Sequence, residues 1–188
     1  KFPWENFPWE RSLVPFGRVL GAVHMKNADV AKAALSDLKI NHAKLVEKNN
    51  VYEATQVQVQ ILASEAWIRF SEGDKDEAIR LMTEAAKMED ATEKHPVTPG
   101  EVVPARELLG DLYMEVSEFA KALEAYEANL ERHPGRLNGL YGAGVAAEKA
   151  GRREKAIRYF RELIRLAPLS EDSRPQVRFA VNFLKGNI

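Results

Sequence analysis

Two acidic side chains four residues apart, Glu107 and Asp111, are the residues of this chain best spaced for chemistry. At that spacing both project from one side of a helix, where they could share a cation or act as a general acid and base. Further oxygen ligands and one imidazole lie upstream at Glu89, Asp90, Glu93 and His95. The set suits calcium or magnesium better than zinc, but no dense ligand loop accompanies it. We therefore expect no metal and no cofactor, and take helix-end hydrogen bonding as the alternative role of these residues.

Nucleophilic catalysis finds no support in the sequence. None of the four histidines stands in a recognised catalytic motif, and the absence of cysteine excludes thiol nucleophiles, disulfides and thiolate zinc sites together. Gly139, Gly142 and Gly144 do not form a phosphate cradle, because they fall within a helical pattern where small residues permit close packing. We expect no catalytic residues and no enzyme activity.

The composition indicates the kind of fold that must position such side chains. The chain has 188 residues, of which 45% are hydrophobic and 29% charged, with a net charge of -1. These values predict one soluble, packed domain, and no apolar run is long enough for a membrane span. The start at Lys1 fits a processed secretory precursor or a trimmed chain, so the compartment stays open, with a secreted or periplasmic location favoured over a cytoplasmic one.

One residue pattern recurs at an offset of 34 in the second half of the chain. The matching pairs are Gly110 and Gly144, Ala122 and Ala156, Tyr126 and Phe160, and Pro134 and Pro168. This pattern resembles the tetratricopeptide repeat, in which small residues mark the contact of helix A with helix B and Pro follows helix B. The resemblance implies helical hairpins that each bury the apolar face of the next.

The repeat pattern divides the chain into segments within a single domain. We predict an aromatic N-terminal arm at 1–11, a degenerate hairpin and the start of the next helix at 12–58, repeats at 59–92, 103–136 and 137–170, an inserted loop at 93–102 and a capping helix at 171–188. The predicted helices lie near 10–25, 28–48, 52–72, 75–90, 103–116, 119–132, 137–150, 153–167 and 175–185. No strand pattern is present. The predicted fold is all-α, a right-handed α-solenoid of stacked hairpins closed by a C-terminal helix.

A narrower likeness extends over most of the chain. The stretches 89–100 and 104–111, together with Phe7-Pro8-Trp9-Glu10, resemble a subgroup of bacterial tetratricopeptide proteins of unassigned role. That subgroup implies a fold and names no catalytic residue.

The family resemblance also implies a ligand-binding groove lined by helix A positions. These positions hold Trp67, Phe70, Glu107, Asp111 and Tyr141, and the inserted loop adds His95. Family members that clamp the terminal carboxylates of heat-shock chaperones carry Lys and Asn where this chain has Glu107 and Asp111. We therefore expect a basic or apolar peptide as partner, with a solvated acidic face as the alternative.

Charge is segregated along the chain. Residues 84–131 contain twelve acids against four bases, whereas residues 136–165 contain eight bases against three acids. Arg158, Arg161 and Arg165 form one helical stripe, but no aromatic residues are interleaved, so nucleic acid binding is disfavoured and a solvated face is the alternative.

The first ten residues contain a tandem aromatic motif. Phe2, Trp4, Phe7 and Trp9 would either fold back onto the first hairpin or dock onto another copy of the chain. The sequence thus leads to two main hypotheses, and a hydrolase or metal enzyme around His95, Glu107 and Asp111 is kept as a third. The first is a non-catalytic scaffold that binds a protein or peptide through its groove and insert. The alternative is a self-assembling structural protein, built head to tail through the aromatic arm and the oppositely charged surfaces.

Overall fold

The computed structural model describes residues 3–92, 101–168 and 174–186, and within these ranges the chain is helical with no strand. A short 3₁₀ helix covers Trp4–Asn6. The α-helices are α1 Pro8–His24, α2 Ala28–Glu47, α3 Val51–Ser71, α4 Lys75–Ala91, α5 Ala105–Glu115, α6 Phe119–Arg132, α7 Leu137–Lys149, α8 Arg153–Leu166 and α9 Pro175–Lys185. The predicted all-α class and the series of helical hairpins are confirmed.

The first helix begins earlier than the sequence pattern predicts. Pro8 occupies its first turn, where a residue without an N–H breaks no helical hydrogen bond. Trp9 therefore belongs to α1 and not to an extended arm, which shortens the predicted arm. Phe2 lies outside the described residues, as do 93–100 of the predicted insert, including His95.

The chain divides into two compact units, residues 1–105 and 106–188. In the first unit α1 packs against α2 and α3, and α3 packs against α4. The side chains of Asn27 and Asp74 accept hydrogen bonds from the backbone at the starts of α2 and α4. The turn before α4 has Gly73 at φ 92°, a left-handed conformation that favours glycine.

The second unit contains the repeat. Ala122 and Ala156 are fully buried, as expected for residues at the closest approach of two helices. The Tyr126 ring lies so close to Gly110 and Gly142 that a Cβ on either would approach it to within 2.6 Å. Small residues at these positions therefore let α5 and α7 close on the tyrosine of α6.

The C-terminal helix covers the end of the second unit. Val177 and Ala180 of α9 are buried, and the helix packs against α8. Phe179 and Phe183 both pack against Phe160 with their rings inclined to it, at centroid distances of 5.7 and 4.8 Å. The predicted capping contact is thus present, although aromatic rings supply much of it and the aliphatic Val181 and Leu184 are only partly buried.

Candidate functional site

Glu107, predicted to face an incoming ligand, is buried and paired. The residue as a whole is 3% exposed. Arg136, just before α7, donates from Nε and Nη2 to its two oxygens at 2.9 and 3.2 Å. Asn129 of α6 adds a third donor, with Nδ2 3.3 Å from Oε2. The interpretation of this residue as part of a solvated acidic face is therefore wrong, since its charge is compensated inside the unit.

Asp111 is exposed at the surface and also takes part in the packing. The Tyr126 hydroxyl donates to Asp111 Oδ1 at 2.5 Å. Burial raises the pKa of Tyr126 far above its usual value, and the negative charges of Asp111, Glu107 and Glu115 raise it further. Asp111 and Glu115 thus lie on one face of α5, where both carboxylates act on the same hydroxyl.

Tyr141 of α7 is half-buried and forms part of an aromatic cluster. Its ring meets Phe179 of α9 edge to face at 5.7 Å and lies 6.5 Å from Phe160. Burial, aided by the charge of Glu148, raises the pKa of Tyr141. The capping helix therefore covers part of a side chain that the repeat pattern assigns to the groove.

Trp67 of the first unit is also an interior residue. It is 3% exposed, and its ring stacks against His24 at 5.2 Å and meets Phe70 edge to face at 5.7 Å. Its indole N–H has no acceptor among the described residues. Phe70 is half-buried, so it is the more accessible of the two aromatic side chains of the first unit that were predicted as contacts.

Other helix A positions of the second unit remain accessible. Glu115, Asn138 and Glu148 are exposed, and Met114 and Val145 are half-buried. Together with Asp111 and Tyr141 these side chains form what we call the α5–α7 face. It presents carboxylates beside apolar surface, a combination that suits basic and apolar ligands.

A second acidic side chain of the unit is neutralised across two helices. Glu127 of α6 accepts from Lys155 Nζ at 2.8 and 2.9 Å and from the Tyr159 hydroxyl at 2.6 Å. Burial first, and then the bond to Glu127, raises the pKa of Tyr159 to about 12. Like Glu107 and Arg136, this contact joins the acidic and basic stretches of the sequence inside one unit.

Glu89, one of the acidic residues upstream of α5, acts in helix-end chemistry. Glu89 is buried, and its Oε2 accepts a hydrogen bond from the backbone N–H of Ala105 at 2.7 Å. That bond satisfies one of the free N–H groups at the start of α5. Across the described ranges, no group of three or more His, Asp or Glu side chains is arranged to hold a metal ion.

The N-terminal aromatic residues differ in accessibility. Trp4 is 53% exposed and Phe7 is 38% exposed. Trp9 is half-buried on α1, and Pro8 is buried. The stretch therefore folds back only in part. Of the described helices, none has the length and apolar character needed to cross a bilayer.

The repeat pattern does not indicate three residues that define these contacts: Arg136, Asn129 and Phe179. Arg136 stands 29 positions from Glu107. Phe179 follows a segment that the repeat spacing does not describe. The sequence signal that could have pointed to Arg136 is its position two residues after Pro134, at the start of the repeat that follows the helix of Glu107.

Comparison with known proteins identifies the repeat. Residues 107–171 match the tetratricopeptide repeat family. No curated protein matches the chain. A solved structure described as MamA AMB-1 superposes with a TM-score of 0.52 at 18% identity, covering 93% of this chain and 83% of its own. A second structure of the MamA protein gives 0.50 at 17% identity, covering 87% and 99%. At these identities the likeness concerns the fold alone.

Proposed function

We propose that this chain, a tetratricopeptide repeat protein whose repeat segment spans residues 107–171, is a non-catalytic scaffold that binds a basic and apolar peptide on its α5–α7 face. Repeats of this family serve as protein-interaction surfaces. The finer proposal concerns which surface is used and which ligand it takes.

The observation that carries the proposal is that α5 and α7 each carry exposed carboxylates together with half-buried apolar side chains at helix A positions. Asp111, Glu115 and Glu148 are exposed, while Met114 and Val145 are only half covered. Glu107 contributes no free charge, because Arg136 compensates it. A peptide with alternating lysine and leucine side chains would place ammonium groups against the carboxylates and methyl groups against the apolar positions.

Fluorescence anisotropy with two labelled synthetic peptides tests this proposal. A lysine and leucine peptide should bind in a salt-dependent manner, and the glutamate and leucine counterpart should not bind. The double variant Glu115→Gln/Glu148→Gln should weaken binding by about threefold to tenfold. The matched control is Glu124→Gln/Glu154→Gln, which removes two exposed acids from α6 and α8. Equal binding by both double variants, or binding of the acidic peptide, would refute the proposal.

Self-assembly through the N-terminal aromatics is the second candidate. The exposure of Trp4 and Phe7 supports it, since large exposed apolar side chains favour association. The charge argument supports it less, because Glu107 and Glu127 already pair with bases of their own unit. Light scattering at rising concentration should show growing oligomers that the variant Trp4→Ser/Phe7→Ser abolishes. A constant monomer mass over the whole range would exclude it.

A further inference from the structure

A row of exposed residues on α1 has the order acid, apolar, base. Glu10, Val14 and Arg18 follow one another at intervals of four, so they lie on one side of the helix. All three are exposed, and Val14 keeps 62% of its surface in water. The buried residues of α1, such as Phe16 and Val19, lie on the opposite side, where the helix packs against α2 and α3. We call the exposed row the α1 ridge.

The two charges of the α1 ridge are not neutralised within the chain. Neither Glu10 nor Arg18 forms an ion pair with another residue of the ranges that the structure describes. Eight positions separate them, which is about 12 Å along a helix, so they do not pair with each other. A surface that carries the opposite order of charges at the same spacing would satisfy both.

The same ridge on a second copy of the chain has that opposite order. When two ridges meet with their helices running in opposite directions, Val14 of one copy faces Val14 of the other, and each Glu10 faces an Arg18. This is the self-complementary arrangement that a two-fold symmetric contact requires. Rows of residues at intervals of four on two helices also interdigitate in the commonest class of helix packing. The charge order therefore selects a second copy as the occupant.

The surroundings of the α1 ridge also carry both signs of charge. Glu5 and Asp37 are acidic and Arg11 is basic, and all three line one cleft together with the residues of the ridge. A uniformly acidic or uniformly basic ligand would meet like charges there. A surface of mixed charge, such as this one, avoids that repulsion.

The positions beyond the charged pair extend the match. Phe7 and Gly21 each lie seven positions from Val14, so a two-fold axis at Val14 places Phe7 of one copy opposite Gly21 of the other. Phe7 is 38% exposed, and a Cβ at Gly21 would meet no heavy atom within 4 Å. The space over Gly21 therefore accommodates an aromatic ring.

We propose that two copies of this chain pair through the α1 ridge to form a two-fold symmetric dimer. Val14 packs on its own symmetry mate, and the two contacts between Glu10 and Arg18 fix the direction in which the helices cross. Because exposed ion pairs contribute more to specificity than to affinity, the dimer is weak. It differs from the head-to-tail assembly considered above, since a two-fold contact closes at two copies. It does not depend on peptide binding by the second unit.

Sedimentation equilibrium of the full chain, from micromolar to millimolar concentration, tests the proposal. The mass should rise from that of one copy and level off at two, and association should weaken at high salt. A mass that stays at one copy throughout would overturn the proposal. A mass that grows past two copies would also overturn it and would favour head-to-tail assembly, while peptide binding would stand in either case.

Charge reversal tests which residues face each other. Glu10→Arg and Arg18→Glu each place like charges opposite one another twice and should weaken dimerisation by at least about tenfold. The double variant Glu10→Arg/Arg18→Glu inverts the order of charges on both copies and should recover the parent affinity to within about threefold. Glu124→Arg and Arg161→Glu reverse exposed charges of α6 and α8 and are the matched controls. A double variant no tighter than the single variants would overturn the proposal.

A substitution at the two-fold axis gives an independent readout. Val14→Asp brings two carboxylates together and should also weaken dimerisation by at least about tenfold. Val51→Asp changes a valine of α3 that is 74% exposed and is the matched control. Melting temperatures of dilute samples should stay near that of the parent, because each substituted side chain is exposed. Equal dimerisation by Val14→Asp and the parent chain would overturn the proposal.

Discussion

Arg136 holds the buried carboxylate of Glu107 through two N–H···O bonds, from Nε at 2.9 Å and from Nη2 at 3.2 Å. The guanidinium keeps about a quarter of its surface in water, whereas the side chain of Glu107 is 4% exposed. Replacing only the base would leave a buried negative charge with one amide donor. This pair therefore makes a sensitive probe of the packing of the second unit.

We expect Arg136→Ala to lower the free energy of unfolding by about 2–4 kcal/mol, because the uncompensated carboxylate stays buried. Urea unfolding followed by circular dichroism measures the change. The control Arg165→Ala removes an exposed arginine of α8 and should stay within about 0.5 kcal/mol of the parent. Similar values for the two variants would contradict a structural role for the pair.

The glycines beside Tyr126 give the second prediction. A Cβ at Gly142 would lie 2.5 Å from the buried ring, which Asp111 also holds by its hydroxyl. Gly142→Ala should therefore destabilise the protein by about 1–3 kcal/mol through overpacking. Gly17→Ala adds the same methyl group to an exposed position of α1 with no heavy atom within 4 Å. It should stabilise by up to about 1 kcal/mol, since alanine is the better helix former. Thermal unfolding distinguishes the two, and equal effects would contradict the proposed close contact.

The helices could be predicted from the sequence because their signals are local. The offset of 34 places Ala122 and Ala156 at helix contacts, and both are fully buried. Capping residues such as Asn27 and Asp74 locate the start of a helix to within a few positions. Pro8 shows the limit of this approach, since proline can either end a helix or begin one.

The candidate site was less predictable, because its contacts join residues far apart in sequence. Position within a repeat assigns Glu107 to helix A but does not reveal that Arg136 reaches it from the loop between α6 and α7. The same pattern assigns Tyr141 to a groove, whereas the capping helix places Phe179 against it. Trp67 is buried for the same reason, as α1 brings His24 onto its ring.

The lowered pKa of Glu127 makes the stability of the protein depend on pH in the acidic range. Burial by itself raises the pKa of this carboxyl group, but the hydrogen bonds from Lys155 and Tyr159 outweigh it and hold the pKa below its ordinary value of 4.5. The stabilisation is therefore present above the unfolded-state pKa and is lost as the pH falls through the folded-state value. Urea unfolding at pH 7 and at successive values below 4.5 should show this loss. Glu127→Gln should reduce the slope, whereas Glu124→Gln, at an exposed position of α6, should leave it unchanged. Identical slopes in all three proteins would be evidence against this assignment.

Two fully buried serines of the first unit differ in hydrogen bonding. Ser12 Oγ donates to the Pro8 carbonyl at 2.7 Å, whereas Ser64 Oγ has no partner among the described residues. Ser12→Ala removes a hydrogen bond, but Ser64→Ala removes only a buried hydroxyl that nothing satisfies. Because both substitutions exchange the same side chains within a helix, the difference between them isolates the hydrogen-bonding contribution. We expect Ser64→Ala to be more stable than Ser12→Ala by about 1–2 kcal/mol in urea unfolding. The opposite order would mean that the Ser64 hydroxyl has a hydrogen-bond partner in solution.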